Sequence, residues 1–145
     1  MLGSGAFAPS MEDAPEEVRN PAGYAALVGG KTLLFDFGFG SLRQLYKAGI
    51  DPAGITHAFF SHRHPDHVGD LAALLFHFHY DRKPAAGRFC VYGPRGFKGF
   101  FERLTKAHHP WLKPRGYAIR LEELEEGAVV KGPGWRVRAR EVPHS

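Results

Sequence analysis

Sulfur is scarce in this chain and long apolar runs are absent. One cysteine, Cys90, in 145 residues excludes an intramolecular disulfide. No stretch approaches the roughly 18 consecutive apolar residues that a membrane-spanning helix needs. Only Met1 and Leu2 precede Gly3, too little for the apolar core of a secretory signal. Repeats, low-complexity tracts and an interior linker are missing as well, so the chain reads as one unit. What remains is an ordinary globular composition, 43% hydrophobic and 13% aromatic, enough for one domain with a real core. A soluble cytoplasmic protein is the default expectation. The charge excess is small: a formal net charge of +4 permits a polyanionic partner without requiring one.

The chain divides into short periodic segments. Tyr24 to Val28 and Lys31 to Phe37, joined by Gly29-Gly30, predict a β-hairpin. Ser41 stands where a helix N-cap would, Leu42, Leu45 and Tyr46 share a helical face, and Gly49 supplies the stop. After the Asp51-Pro52 turn, Ile55 to Ser61 suits a buried strand. Val68, Leu71, Leu75 and Phe78 then mark an amphipathic helix with His67 at its N-terminal edge. Arg88 to Tyr92 reads as the next strand, ended by Gly93-Pro94. Phe97, Phe100, Phe101 and Leu104 recur at the spacing of a buried helical face, which favours core over a base-stacking platform. Tyr117 to Leu121 and Trp135 to Val142 complete the strand candidates. In the last of these Arg136, Arg138 and Arg140 alternate with Trp135, Val137 and Ala139, a stripe that could meet phosphates or simply face water.

The run His62-Arg63-His64-Pro65-Asp66-His67 carries the chemistry. It places four potential metal ligands in six residues at the C-terminal end of a strand, where α/β sheets usually build their sites. Imidazoles and a carboxylate are ligands zinc favours, and a catalytic zinc with an open position lowers the pKa of bound water to about 7. The run is a candidate hydroxide generator. Residues two apart, His62 and His64, can converge on one ion, while Asp66 and His67 can face a point a few ångströms away. Two adjacent metal ions are therefore geometrically plausible, and such a pair can serve phosphoryl chemistry. The alternative is a histidine-rich solvent loop.

At these residues the sequence resembles the metallo-β-lactamase superfamily, particularly its ribonuclease Z-like branch. His62 to His67 match the His-x-His-x-Asp-His signature. Further matches are Leu2-Gly3-Ser4-Gly5, Arg19-Asn20-Pro21, Leu33-Leu34-Phe35-Asp36-Phe37-Gly38, Val91-Tyr92-Gly93-Pro94 and Val142-Pro143-His144-Ser145. The resemblance implies an α/β (α+β) architecture, the N-terminal half of an αββα sandwich, with a mixed sheet and flanking helices. It also implies that His62, His64 and His144 hold a first zinc and that Asp66 and His67 contribute to a second. Asp66 is thereby the candidate catalytic carboxylate, and Mn2+ or Fe2+ could replace Zn2+. Asp36 would support the signature loop through hydrogen bonds; read on its own it could equally just cap a strand end.

The family's bridging aspartate and late histidine have no counterpart before Ser145. At most one tightly held zinc is therefore expected of these residues alone. Half a sandwich should also leave one apolar sheet face bare, so the chain should need a C-terminal half or a homo-oligomer to cover it. The implied activity is zinc-dependent hydrolysis of a phosphodiester through a metal-bound hydroxide, with RNA as the expected substrate class. Of the segment Pro9 to Asn20, only a proline and Arg-Asn match the pattern of that branch's recognition loop. A small phosphodiester, lactone or thioester is the alternative substrate, since fold does not decide between them. A non-catalytic zinc- or nucleic-acid-binding fragment is the alternative class. His77, His79, His108 and His109 read as surface or helix-end residues, His57 as structural, and Cys90 as core.

Overall fold

Gly29 and Gly30, with φ of 55° and 72°, supply the left-handed backbone that a two-residue hairpin turn demands. They join β1 (Gly23–Val28) to β2 (Lys31–Phe37) as an antiparallel pair. From β2 onward the sheet is parallel: β3 (Ile55–Phe59), β4 (Arg88–Gly93) and β5 (Ala118–Glu123) come in order. Parallel neighbours need crossovers, and α1 (Ser41–Lys47), α2 (Pro65–Val68), α3 (Leu71–Tyr80) and α4 (Phe97–Ala107) provide them. The computed structural model describes residues 1–5 and 18–143.

The period-2 alternation of the strands divides the core into two. Leu34, Ala58, Phe89 and Val91 face the helices, meeting Leu45, Leu71, Leu74, Leu75, Phe78, Phe97 and Phe101. The phenylalanine stripe of α4 is thus core, as its spacing predicts. On the opposite face lie Phe59, Cys90 and Tyr92, with Phe35 beside them. Here the chain lays down the hairpin of β6 (Val129–Gly132) and β7 (Trp135–Arg138). Val130, Trp135 and Val137 pack on that second cluster, and the indole of Trp135 stands edge-on to His57 at 4.8 Å between ring centroids. The expected bare face is therefore partly covered by the chain itself. The turn of this hairpin reaches the end of β1, where Gly134 lies against Val28, but at the other end of the strand Tyr24, paired with Phe35, is still 44% exposed.

Several local expectations need correction. Ser41 is the first residue of α1 rather than its cap; Gly40, with φ of 84°, occupies the cap. Ser41 is instead buried against Gly23, where a Cβ would come within 2.5 Å of its Oγ. The signature helix is two helices, broken at Gly69-Asp70. The break is tertiary: the Asp70 N–H donates to the Phe37 carbonyl and its Oδ2 accepts from the Leu42 N–H. His67 thus lies within α2 and not at the edge of a longer helix. Tyr117 precedes β5 and turns edge-on to Phe78 in the helix-side core. The last strand ends at Arg138, and its partner β6 has no clear pattern in the sequence. Arg136 and Arg138 do point to solvent, the wet side of an outer strand.

The packing makes two features testable. At the end of β2, a Cβ on Gly38 would lie 2.0 Å from the Asp66 carbonyl oxygen. Gly38→Ala should destabilise the fold by about 2–3 kcal/mol in urea titration; wild-type stability would show that this approach is not tight. Burial pushes the His57 imidazole below its ordinary value, and Lys31 and Arg88 push the same way. Protonation of His57 therefore opposes folding. Its contribution to stability should be complete above the unfolded value of about 6.5 and fall as pH drops from there through the folded value. His57→Phe should flatten that limb of the stability–pH curve, and proton NMR should show the wild-type ring titrating below about pH 6.5.

Candidate metal centre

Because β2, β3 and β4 run parallel, their C-terminal ends open on one edge of the sheet. Asp36 and Phe37 end β2, and the chain leaves β3 through Phe60 and Ser61 into His62. The Phe60 N–H donates to the Tyr92 carbonyl at 2.8 Å, which holds the exit of β3 against β4.

One carboxylate organises the loop beyond that exit. Asp36 accepts from the Ser61 N–H at Oδ1 and from the Ser61 hydroxyl at Oδ2, each at 2.8 Å. Its Oδ2 also accepts from His67 Nδ1 at 2.8 Å. An ionised carboxylate offers no proton, so His67 must carry its own at Nδ1, leaving the Nε2 lone pair available to ligate. The proton of the Ser61 hydroxyl is committed to Asp36. His62 Nδ1, 2.9 Å from that oxygen, is then the donor, and its Nε2 is likewise the acceptor nitrogen. Asp36 adopts this position with φ of 52°, the left-handed region that non-glycine residues rarely occupy.

The rings converge. The centroids of His62 and His67 are 3.9 Å apart, and those of His62 and His64 are 4.5 Å apart. Asp66 Oδ2 lies 3.5 Å from His67 Nε2. Four of the five expected ligand residues, His62, His64, Asp66 and His67, therefore lie beside one another, and Asp36 hydrogen-bonds to Ser61 and His67 of the same loop. His144 lies outside the described residues, as does most of the Pro9 to Asn20 segment. Among the described residues no three such side chains form a ready cage for an ion. In kind, however, three imidazoles and a carboxylate, with the tautomers of His62 and His67 set by hydrogen bonds, suit a zinc-class ion. Ser61 is a site residue that sequence reasoning misses; its only signal is a hydroxyl immediately before His62.

The other histidines lie elsewhere. His77 is buried rather than on the surface, with Nδ1 3.2 Å from both the Tyr46 hydroxyl and Asp81 Oδ2 at the end of α3. His79 donates from Nδ1 to the Lys113 carbonyl at 2.7 Å. His108 ends α4, and Cys90 is buried as expected.

The sequence and the fold have counterparts among known proteins. The metallo-beta-lactamase superfamily profile matches residues 20–144. Ribonuclease Z from Methanosarcina mazei is 32% identical over 133 residues, covering 90% of this chain and 41% of that protein. Ribonuclease Z from Pyrococcus horikoshii is 33% identical over 144 residues, covering 99% of this chain and 43% of that protein. Among solved structures, the short form of human tRNase Z superposes with a TM-score of 0.65 at 29% identity, over 84% of this chain and 42% of that one. The chain thus spans about two fifths of the length of these relatives. With the signature run at the strand edge and the profile matched over most of its length, the chain belongs to the metallo-beta-lactamase superfamily.

Proposed function

We propose that this chain carries the first part of the metal centre of a zinc-dependent hydrolase, a phosphodiesterase similar to its ribonuclease Z relatives. The observation that carries the reading is the Asp36–Ser61–His67 hydrogen-bond set, which leaves Nε2 as the nitrogen able to ligate on both His62 and His67, whose ring centroids are 3.9 Å apart. Bound there, a divalent ion (zinc first, Mn2+ or Fe2+ as alternatives) would supply Lewis acidity and a low pKa for coordinated water.

The chain's residues divide the remaining work. His62 and His64, with His144, would hold the first position; His67 and Asp66 would contribute to the second. Asp66, beside His67 Nε2, offers carboxylate oxygens that can ligate or accept a proton from the attacking water. Asp36 holds the His67 proton at Nδ1, so that the ring would meet an ion through Nε2. The relatives' greater length and the open ligand set support a centre completed by further protein, either a C-terminal half or a second copy. RNA is the substrate class that the relatives' name suggests.

Elemental analysis should find at most one zinc per chain; two would overturn the incomplete-site reading. With the completing protein present, zinc or manganese should support cleavage of a bis-aryl phosphodiester, and turnover should vanish in His64→Ala and Asp66→Ala with the circular dichroism unaltered. Metal bound without any turnover would favour a non-catalytic zinc-binding role. Asp36→Asn should weaken zinc affinity about 10–100-fold in competition with a chelator. Unchanged affinity would remove Asp36 from the site.

A further inference from the structure

Arg63 stands inside the ligand run, yet its side chain goes elsewhere. Between His62 and His64, whose rings meet, it crosses to the turn between β4 and α4. There its Nη1 lies 3.3 Å, and its Cζ 3.8 Å, from the point a Cβ on Gly96 would occupy. Gly96 has φ of 83° and no side chain, so the guanidinium rests over open backbone. The residue is exposed, and among the described residues no carboxylate forms an ion pair with it.

The surroundings add to its charge. Arg95 and Lys98 flank the same turn, both exposed. The carboxylate at this turn, Glu123, is already engaged: it accepts from the Lys98 N–H at 2.8 Å at the N-terminus of α4. That bond, with help from Gly96, Lys98 and Arg95, holds its carboxyl below the usual range and keeps it ionised. The helix N-terminus is thus taken by the protein's own anion. Among the described residues, Arg63 remains a cation beside the candidate ligands whose charge no ion pair answers.

We propose that Arg63 is a substrate-positioning residue that grips a backbone phosphate next to the one being cleaved, seated between the signature loop and the Gly96 turn. The inference rests on the phosphodiesterase reading and names what that site would require of a polynucleotide. A scissile phosphate belongs with His62, His64, Asp66 and His67. A guanidinium on the loop's other side meets the next phosphate along a strand, and its planar fork suits two phosphate oxygens at once. A single small diester has no such second phosphate, so the contact selects for length.

Binding of a labelled short single-stranded RNA to the 145-residue chain, with and without zinc, tests this by fluorescence anisotropy over a salt series. Arg63→Gln should weaken binding about tenfold and lower the slope of log affinity against log salt by about one. Arg63→Lys should keep the slope and recover only part of the affinity, because the fork is lost. Lys47→Gln, at the far end of α1, should change neither quantity. The inference is overturned if Arg63→Gln binds like wild type, if Lys47→Gln loses as much, or if wild type binds no RNA. Turnover of a bis-aryl phosphodiester by the completed wild-type protein reports separately on the underlying reading. Arg63-dependent RNA binding without such turnover would overturn the phosphodiesterase reading alone.

Discussion

The carboxylate of Asp36 is the point on which the site depends, because it ties two stretches of chain that have no covalent reason to meet. One oxygen takes the backbone N–H of Ser61 and the other takes the Ser61 hydroxyl and His67 Nδ1. Every one of these donors lies beyond the end of β3, while Asp36 itself ends β2. A charged acceptor makes stronger hydrogen bonds than a neutral one, and three donors on one carboxylate leave the loop little freedom to rotate. The left-handed backbone at Asp36 is tolerated because those bonds over-determine it. The same bonds set the tautomers of His62 and His67, so a single acidic residue fixes the loop's path and the direction of its nitrogen lone pairs.

That arrangement needs the sheet behind it. Parallel pairing of β2 with β3 places Asp36 and Ser61 at the same edge, since Phe35 is paired with Phe59 and each strand then ends within two residues. Gly38 lets the backbone after β2 come against Asp66, and Gly69 lets the ring of Phe39 close on the α2–α3 junction, where a Cβ would meet it at 2.5 Å. Two glycines and one carboxylate therefore press the signature loop onto β2 from both of its ends. The placement of the candidate ligands is a consequence of close backbone approach as much as of their own side chains.

What could be read from the residues alone tracks the range of the forces involved. The Gly29-Gly30 hairpin, the α4 phenylalanine face and the ligand run are local patterns, and each lies where its pattern puts it. Misreadings occur where a distant contact outweighs a local preference. Serine normally caps a helix, but Ser41 is buried against Gly23 and yields the cap to Gly40. The helical spacing of Val68 and Leu71 is continuous, yet the chain breaks between them because Asp70 bonds Phe37 and Leu42. β6 has only Val130 turned inward, too weak a signal until Trp135 and Val137 supply its partner strand. Ser61 carries no periodicity at all; its role exists only once Asp36 is beside it.

The hairpin of β6 and β7 covers part of the sheet face that the sequence alone leaves bare. Half of a sandwich would be expected to present a bare apolar sheet, but Trp135, Val137 and Val130 already cover Phe59, Cys90 and Tyr92. The uncovered part lies near Tyr24, at the start of β1. Burial of apolar surface therefore gives only a weak argument for an obligatory partner on this face. The described imidazoles and carboxylate approach one another without closing a cage, and an ion held by too few donors exchanges readily with water. On the proposed reading, a further ligand-bearing segment would be called for by coordination chemistry first and by sheet packing second.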